Sequence, residues 1–136
     1  MQVIYEKPQV KLFHDEERQL VRITWYGKIP LEVYQEALGF CLEYMADHKI
    51  RRILVDQREI QPLSEQAQKW LYKTWFPLLF ESVGSDIRMA IIPSPITFRN
   101  ISSKSIAKKL IDKHHDLKIE YHVTEKMAHK FLEGAI

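Results

Sequence analysis

The segment Gln19–Tyr26, with the sequence QLVRITWY, decides the fold. Its apolar residues at positions 21, 23 and 25 alternate with Arg and Thr, which is typical of a strand with one buried face and one wetter face. Val10–His14 is a second β-prone stretch, and the polar residues Asp15–Arg18 separate the two. The sequence therefore predicts an antiparallel hairpin, to which Val3–Tyr5 can add a short edge strand.

After the hairpin, helical and strand-like segments alternate. Pro77 lies inside the second helix, where its missing N–H predicts a kink. The predicted segments are a helix from Pro30, a strand at Arg52–Asp56, a helix from Ser64 to Gly84, a strand at Ile87–Ile92, a helix from about Phe98 to His114, a strand at Ile119–Val123 and a helix after Thr124. This order predicts an α/β fold: a mixed β-sheet that starts with an antiparallel hairpin and continues with alternating helices and mostly parallel strands.

Composition limits the class of protein. The 136 residues suit one domain spanning 1–136, and the net charge of +2 argues against nucleic-acid binding. Cys41 is the only cysteine, so no internal disulfide can form and a reducing compartment is expected. No apolar run approaches the roughly 20 residues of a membrane span. The sequence predicts a soluble protein of a bacterial-type cytoplasm.

Four segments carry a resemblance to a known family: Ile23–Ile29, Ile53–Asp56, Arg88–Ile92 and Thr124–Leu132. In their order they resemble the SpoIIAA-like branch of the STAS-domain family, and the likeness covers almost the whole chain. The resemblance implies a mixed sheet with helices packed on it. It also implies a regulatory or ligand-sensing module that acts by binding.

The same resemblance raises the question of a phosphorylation site. Anti-sigma-factor antagonists of this family carry a phosphorylatable serine at the helix that follows the Asp-ending strand, commonly within Asp-Ser-Ser-Gly. Ser64 lies near that place, but the Ser-Ser-Gly element is missing. We therefore predict that Ser64 is an ordinary helix N-cap.

Polar residues follow the predicted strands that end at Val55 and Ile92. Parallel strands bring their carboxyl ends to one edge of the sheet, so a small molecule or protein partner would meet both loops, with Arg58 or Arg99 contacting an anionic group. The alternative is a pair of solvated loops in which Asp56 is a structural carboxylate accepting backbone N–H bonds. The predicted binding residues are Asp56, Arg58, Glu59, Ser94, Thr97, Arg99 and Asn100.

Motifs for catalysis, cofactors and metals are missing from the sequence. No pair among the six histidines has zinc-ligand spacing, and the chain has neither a glycine-rich phosphate loop nor a Gly-x-Ser-x-Gly elbow. An enzyme using Asp56 is therefore the least favoured function. We expect no cofactor and no metal.

The helix through Trp70–Phe80 carries more aromatic surface than one helix face can bury. A homodimer interface, an apolar ligand or ordinary core packing would each account for this surplus. The predicted interface residues are Trp70, Trp75, Phe76 and Phe80. The favoured function is a non-enzymatic regulatory or protein-interaction module; the alternative is a carrier that holds a small apolar or lipid-like ligand between this helix and the sheet.

Overall fold

The structure is a computed structural model that describes residues 1–95 and 117–134; the helix predicted near 98–114 lies outside them. The strands are β1 (Gln2–Lys7), β2 (Val10–Asp15), β3 (Leu20–Gly27), β4 (Arg52–Ile60), β5 (Ile87–Ile92) and β6 (Leu117–Tyr121). The helices are α1 (Leu31–His48), α2 (Glu65–Trp70), a π-helical segment π1 (Leu71–Trp75), α3 (Phe76–Val83) and α4 (Glu125–Leu132).

In the described residues, the strands form one six-stranded sheet in the order β1-β2-β3-β4-β5-β6. Strands β1, β2 and β3 pair antiparallel, and β3 to β6 pair parallel. The hairpin register places Val10 opposite Trp25 and Asp15 opposite Leu20. The predicted mixed sheet with its leading hairpin is therefore confirmed, and β1 supplies the predicted edge strand.

The two faces of the sheet differ in composition. Val21, Ile23 and Trp25 lie on the apolar face, where they pack with α1, α2 and α3 in the main core. The opposite, polar face carries Arg22 and Thr24. Helix α4 packs on that second face through a smaller apolar cluster formed by Leu20, Leu54, Ala90, Ile92, Ala128 and Leu132. Alternation along β3 thus separates apolar from polar side chains as the sequence predicts, but the prediction of a wetter face is wrong, because Arg22 and Thr24 are buried.

A π-helical turn interrupts the helical run from α2 to α3 just before Pro77, where the sequence predicts a kink. Pro77 has no N–H to donate to the carbonyl of Lys73, and the preceding turn widens into π1, in which the Phe76 N–H donates to the Leu71 carbonyl. The wider turn directs both Trp75 and Phe76 into the core, where they are 1% and 2% exposed. The Trp75 indole Nε1 donates to the Leu38 carbonyl at 2.7 Å, which satisfies its one polar atom.

Two of the predicted strands differ most from the observed ones. Strand β4 continues to Ile60 because β3 runs beside it past Asp56: after a register shift, Gly27 pairs with Ile60, and the Gln61 N–H donates to the Gly27 carbonyl at 2.8 Å. Strand β6 ends at Tyr121, and Val123 is 70% exposed outside it.

Candidate functional site

A group of charged and polar side chains meets on the polar face of the sheet. Strand β3 contributes Arg22 and Thr24, β4 contributes Asp56 and Arg58, and the first turn of α4 contributes Glu125. Because β3 and β4 are parallel and Thr24 pairs with Asp56, alternate residues of both strands face the same side. We call these five residues the polar network.

Hydrogen bonds connect every member of the network. Arg22 Nη2 donates to Asp56 Oδ2 at 2.9 Å and to Glu125 Oε1 at 2.5 Å, and its Nε donates to Thr24 Oγ1 at 3.3 Å. Arg58 Nη2 donates to the same two carboxylate oxygens at 2.7 and 3.0 Å. Asp56 Oδ1 also accepts the backbone N–H of Arg58 at 3.1 Å and its Nε at 3.0 Å. Two guanidinium groups therefore share one oxygen of each carboxylate.

The arginines keep both carboxylates ionised. Burial by itself would raise the pKa of Asp56, but the hydrogen bonds and positive charge of Arg58, together with the charge of Arg22, outweigh it and lower that pKa. The hydrogen bond from Arg22 lowers the pKa of Glu125. The hydrogen bond to Asp56 raises the pKa of Arg58 further above its already high value. Asp56 and Glu125 are therefore both charged near neutral pH.

The network borders an open groove of about 410 Å³. The arginines differ in access to it: the side chain of Arg22 is 11% exposed, whereas that of Arg58 is 47% exposed. Glu59 faces the same groove and is exposed. Apolar contact surface comes from Met1, Phe13 and Tyr26. The groove thus combines accessible charge with apolar walls, a mixture that suits recognition of a partner.

The structure brings together some of the predicted binding residues. Asp56, Arg58 and Glu59 line the groove, but they belong to β4, so the predicted loop begins only after Ile60. Asp56 accepts the Arg58 backbone N–H, so it has the role of a structural carboxylate that the sequence analysis gave as the alternative. Ser94 is buried in the segment after β5. Thr97, Arg99 and Asn100 lie outside the described residues.

Sequence reasoning missed Arg22, Thr24 and Glu125. The sequence identifies the first two only as the wetter side of a strand, and it includes Glu125 only within the segment Thr124–Leu132 that carries the family resemblance. Arg22 and Glu125 are 103 residues apart in sequence. No periodicity within either segment indicates that they meet.

A second cavity lies on the apolar face, between the sheet and the α2-π1-α3 run. It measures about 90 Å³, and its walls include Trp25, Tyr34, Leu71 and Phe76. This is less than the roughly 150 Å³ of an engineered cavity that holds benzene. The predicted alternative of a carrier for a lipid-like ligand is therefore not supported.

The four predicted interface residues divide into two pairs. Trp75 and Phe76 are buried in the chain's own core, which is the core-packing alternative that the sequence left open. Trp70 and Phe80 are partly exposed and pack against the edge of that core. Dimerisation through this helix stays a prediction for Trp70 and Phe80.

Within the ranges 1–95 and 117–134, no helix is long and apolar enough to cross a membrane. Over the same ranges, no group of three His, Cys, Asp or Glu side chains is arranged to hold a metal ion. Cys41 is buried in the core, and this burial raises the pKa of its thiol to about 12, which disfavours the thiolate form.

No protein-family model matches the chain, and no curated protein matches it. Several solved structures are similar to the chain. An uncharacterised protein from Shewanella loihica with a SpoIIAA-like fold is 15% identical, with a TM-score of 0.61 over 95% of this chain and 98% of that one. The anti-sigma factor antagonist SpoIIAA in its unphosphorylated form is 14% identical, with a TM-score of 0.54 over 93% of this chain and 98% of that one.

A third similar structure comes from Pseudomonas aeruginosa. A chain in the complex of the diguanylate cyclase SiaD with its activator SiaC is 15% identical, with a TM-score of 0.54 over 90% of this chain and 100% of that one. SiaC alone also matches, at 14% identity and a TM-score of 0.51 over 88% of this chain and 97% of SiaC. These likenesses extend over nearly the whole length of every chain compared and agree with the observed strand order and hairpin. The chain therefore has the SpoIIAA-like fold.

Proposed function

We propose that the chain is a non-enzymatic regulatory module that acts by binding a partner protein. The observation that carries this proposal is the polar network, whose buried charges are mutually satisfied and border an open groove. Ionised carboxylates locked by arginines suit a rigid recognition surface better than proton transfer. The fold supports the same proposal, since proteins that share it are described as an anti-sigma factor antagonist and as the activator of a diguanylate cyclase.

The proposed contact surface is the groove beside the network. Arg58 and Glu59 are its exposed charged residues, and Met1, Phe13 and Tyr26 add the apolar area on which interfaces depend. We extend the proposed surface to the segment after β5, including Thr97, Arg99 and Asn100, whereas Ser94 in this segment is buried and is no longer proposed as a contact residue. We also propose that this module works in a bacterial cytoplasm.

Site-specific photo-crosslinking in cells tests the contact surface. A photoreactive benzoylphenylalanine is placed at Glu59, and a matched variant carries it at Gln66, which is exposed on α2 away from the groove. We expect a protein that crosslinks from position 59 but not from 66. That protein, purified, should bind the wild type at least tenfold more tightly than Glu59→Arg. Equal crosslinking from both positions, or none from 59, would contradict the proposal.

The homodimer is a separate part of the proposal and uses Trp70 and Phe80, which remain partly exposed. Sedimentation equilibrium at micromolar concentration should show a dimer for the wild type and a monomer for Phe80→Glu. Val123→Glu is the matched control, because Val123 is also an exposed apolar residue but lies outside this helix. A monomeric wild type would exclude the dimer while leaving partner binding untouched.

A further inference from the structure

The carboxylates of Glu125 and Asp56 bind the two arginines in different ways. Asp56 is buried and belongs to β4, and it accepts hydrogen bonds through both of its oxygens. The side chain of Glu125 is 44% exposed, and it reaches the arginines from a different element, α4, through one oxygen only. Asp56 is therefore a fixed part of the site, whereas Glu125 is a carboxylate placed at its open side.

The arginines are held in place without Glu125. Arg58 is fixed by two side-chain hydrogen bonds to Asp56, at 3.0 and 2.7 Å. Arg22 is fixed by Asp56 at 2.9 Å and by Thr24 at 3.3 Å. A guanidinium pair that keeps its geometry when one ligand leaves is preorganised for another ligand of the same kind.

We propose that Arg22 and Arg58 form a carboxylate-binding site that Glu125 fills as an internal ligand, and that an acidic side chain of a peptide partner takes the place of Glu125. This inference rests on the proposed function and names the chemistry that its groove recognises. The exposed Met1 and the half-buried Phe13 and Tyr26, which line the same groove, would contact the rest of the peptide.

Charge favours a carboxylate over a phosphate as the incoming group. When Glu125 withdraws, Asp56 balances only one of the two positive charges of Arg22 and Arg58, which leaves the site with a net positive charge. A carboxylate adds one negative charge, whereas a phosphate adds about 1.5 to 2 at neutral pH. The two arginines therefore compensate the charge of a carboxylate better than that of a phosphate. The group that occupies the site in this structure, the side chain of Glu125, is also a carboxylate.

Competition with Glu125 predicts how the site responds. In the wild type, an external carboxylate binds only to those molecules whose Glu125 has moved away. Its apparent affinity is therefore the intrinsic affinity multiplied by the fraction of such molecules. Removing the Glu125 charge should open the site to small probes. Glu65 provides a matched control, because it also lies in the first turn of a helix but pairs with Lys69, at 4.0 Å, instead of with the arginines.

The test uses the purified full chain and follows the NMR signals of the arginine Nε–H groups. The probe is N-acetylglutamate α-amide, whose one carboxylate is that of the side chain. We expect saturable shifts at Arg22 and Arg58 in Glu125→Ala, with at least tenfold tighter binding than in the wild type or Glu65→Ala. Glu125→Gln, which keeps the side-chain shape, guards against loss of α4 packing and should respond in the same way. N-acetylglutamine α-amide, in which a neutral amide replaces the side-chain carboxylate, should produce no shift.

Two outcomes would overturn the inference. If neither Glu125 variant binds the probe more tightly than the wild type, the arginine pair is only a structural ion-pair network. If inorganic phosphate binds the variants more tightly than the carboxylate probe, the assignment of an acidic peptide is wrong. Neither outcome requires a partner, so a failure here is distinguishable from a failure of the crosslinking experiment.

Discussion

The two faces of one sheet are built by different kinds of interaction. On the apolar face, Val21, Ile23 and Trp25 pack with residues of α1, α2, π1 and α3, and their contacts need no particular partner atom. On the polar face, the intervening Arg22 and Thr24 are also buried, but Arg22 depends on acceptors on β4 and α4 and donates to Thr24 as well. One strand therefore contributes a general core on one side and a specific network on the other.

This difference predicts how substitutions on each face destabilise the fold. Removing apolar volume leaves a cavity whose cost depends on the volume lost. Removing one member of a charged network leaves its partners buried without compensation. The two kinds of defect can be compared directly by measuring free energies of unfolding for single variants.

The largest loss is expected on the apolar face. Trp75→Ala removes a buried aromatic side chain and the hydrogen bond to Leu38, and should lower the free energy of unfolding by about 3–5 kcal/mol. Leu78, which is 45% exposed in the same helical run, is the control: Leu78→Ala should cost less than about 1 kcal/mol. Urea unfolding followed by circular dichroism measures both. Equal losses would show that this helix does not contribute to the core as described.

A somewhat smaller loss is expected on the polar face. Arg22→Ala leaves Asp56 buried with Arg58 as its remaining cation, so we expect a loss of up to about 3 kcal/mol. Arg51, an exposed arginine next to β4, is the control, and Arg51→Ala should change stability by about 0.5 kcal/mol or less. A change at Arg22 as small as that at Arg51 would mean that the network does not stabilise the fold.

The apolar face was predictable from sequence because its signals are local. Alternation at Val21, Ile23 and Trp25 identifies β3, and the apolar run at Ile87–Ile92 identifies β5 with its observed bounds. Pro77 indicated a bend, although no local signal distinguished a simple kink from the π-helical turn that forms. Periodicity reports which residues are buried, and that is the information a core requires.

The polar face was predictable only in part. Asp56 and Arg58 were recognised because they follow an apolar strand, but the end of β4 was set too early, since its extension depends on pairing with β3. Arg22 and Glu125 were missed as site residues because their meeting depends on the position of α4 across the sheet. Tertiary placement, which one sequence does not display, determines which charges come together.

Acid should weaken the polar face selectively. A carboxyl whose pKa is lowered in the folded state contributes stability at pH values above its unfolded pKa, about 3.9 for Asp, and loses it as the pH falls toward the folded value. We expect the free energy of unfolding of the wild type to fall more steeply below about pH 4 than that of Asp56→Asn. The effect should be smaller than that of Arg22→Ala, because a protonated Asp56 still accepts hydrogen bonds. Parallel slopes in urea titrations across this range would contradict the assignment.

The smallest effect concerns Ser64, which lies outside both faces and caps α2. Its Oγ accepts the Ala67 N–H at 3.0 Å, so Ser64→Ala should lower the free energy of unfolding by about 1 kcal/mol. Thr124 provides a matched cap on α4, accepting the Met127 N–H at 3.2 Å, and Thr124→Ala should cost a similar amount. Asn is also a strong capping residue, so Ser64→Asn should retain most of the stability. If Ser64 is only a cap, Ser64→Asn will bind the crosslinked partner as tightly as the wild type does, and mass spectrometry of the protein from cells will show unmodified Ser64. Stoichiometric phosphate on Ser64, or a Ser64→Asn protein that is stable yet fails to bind, would instead make this cap a regulatory site.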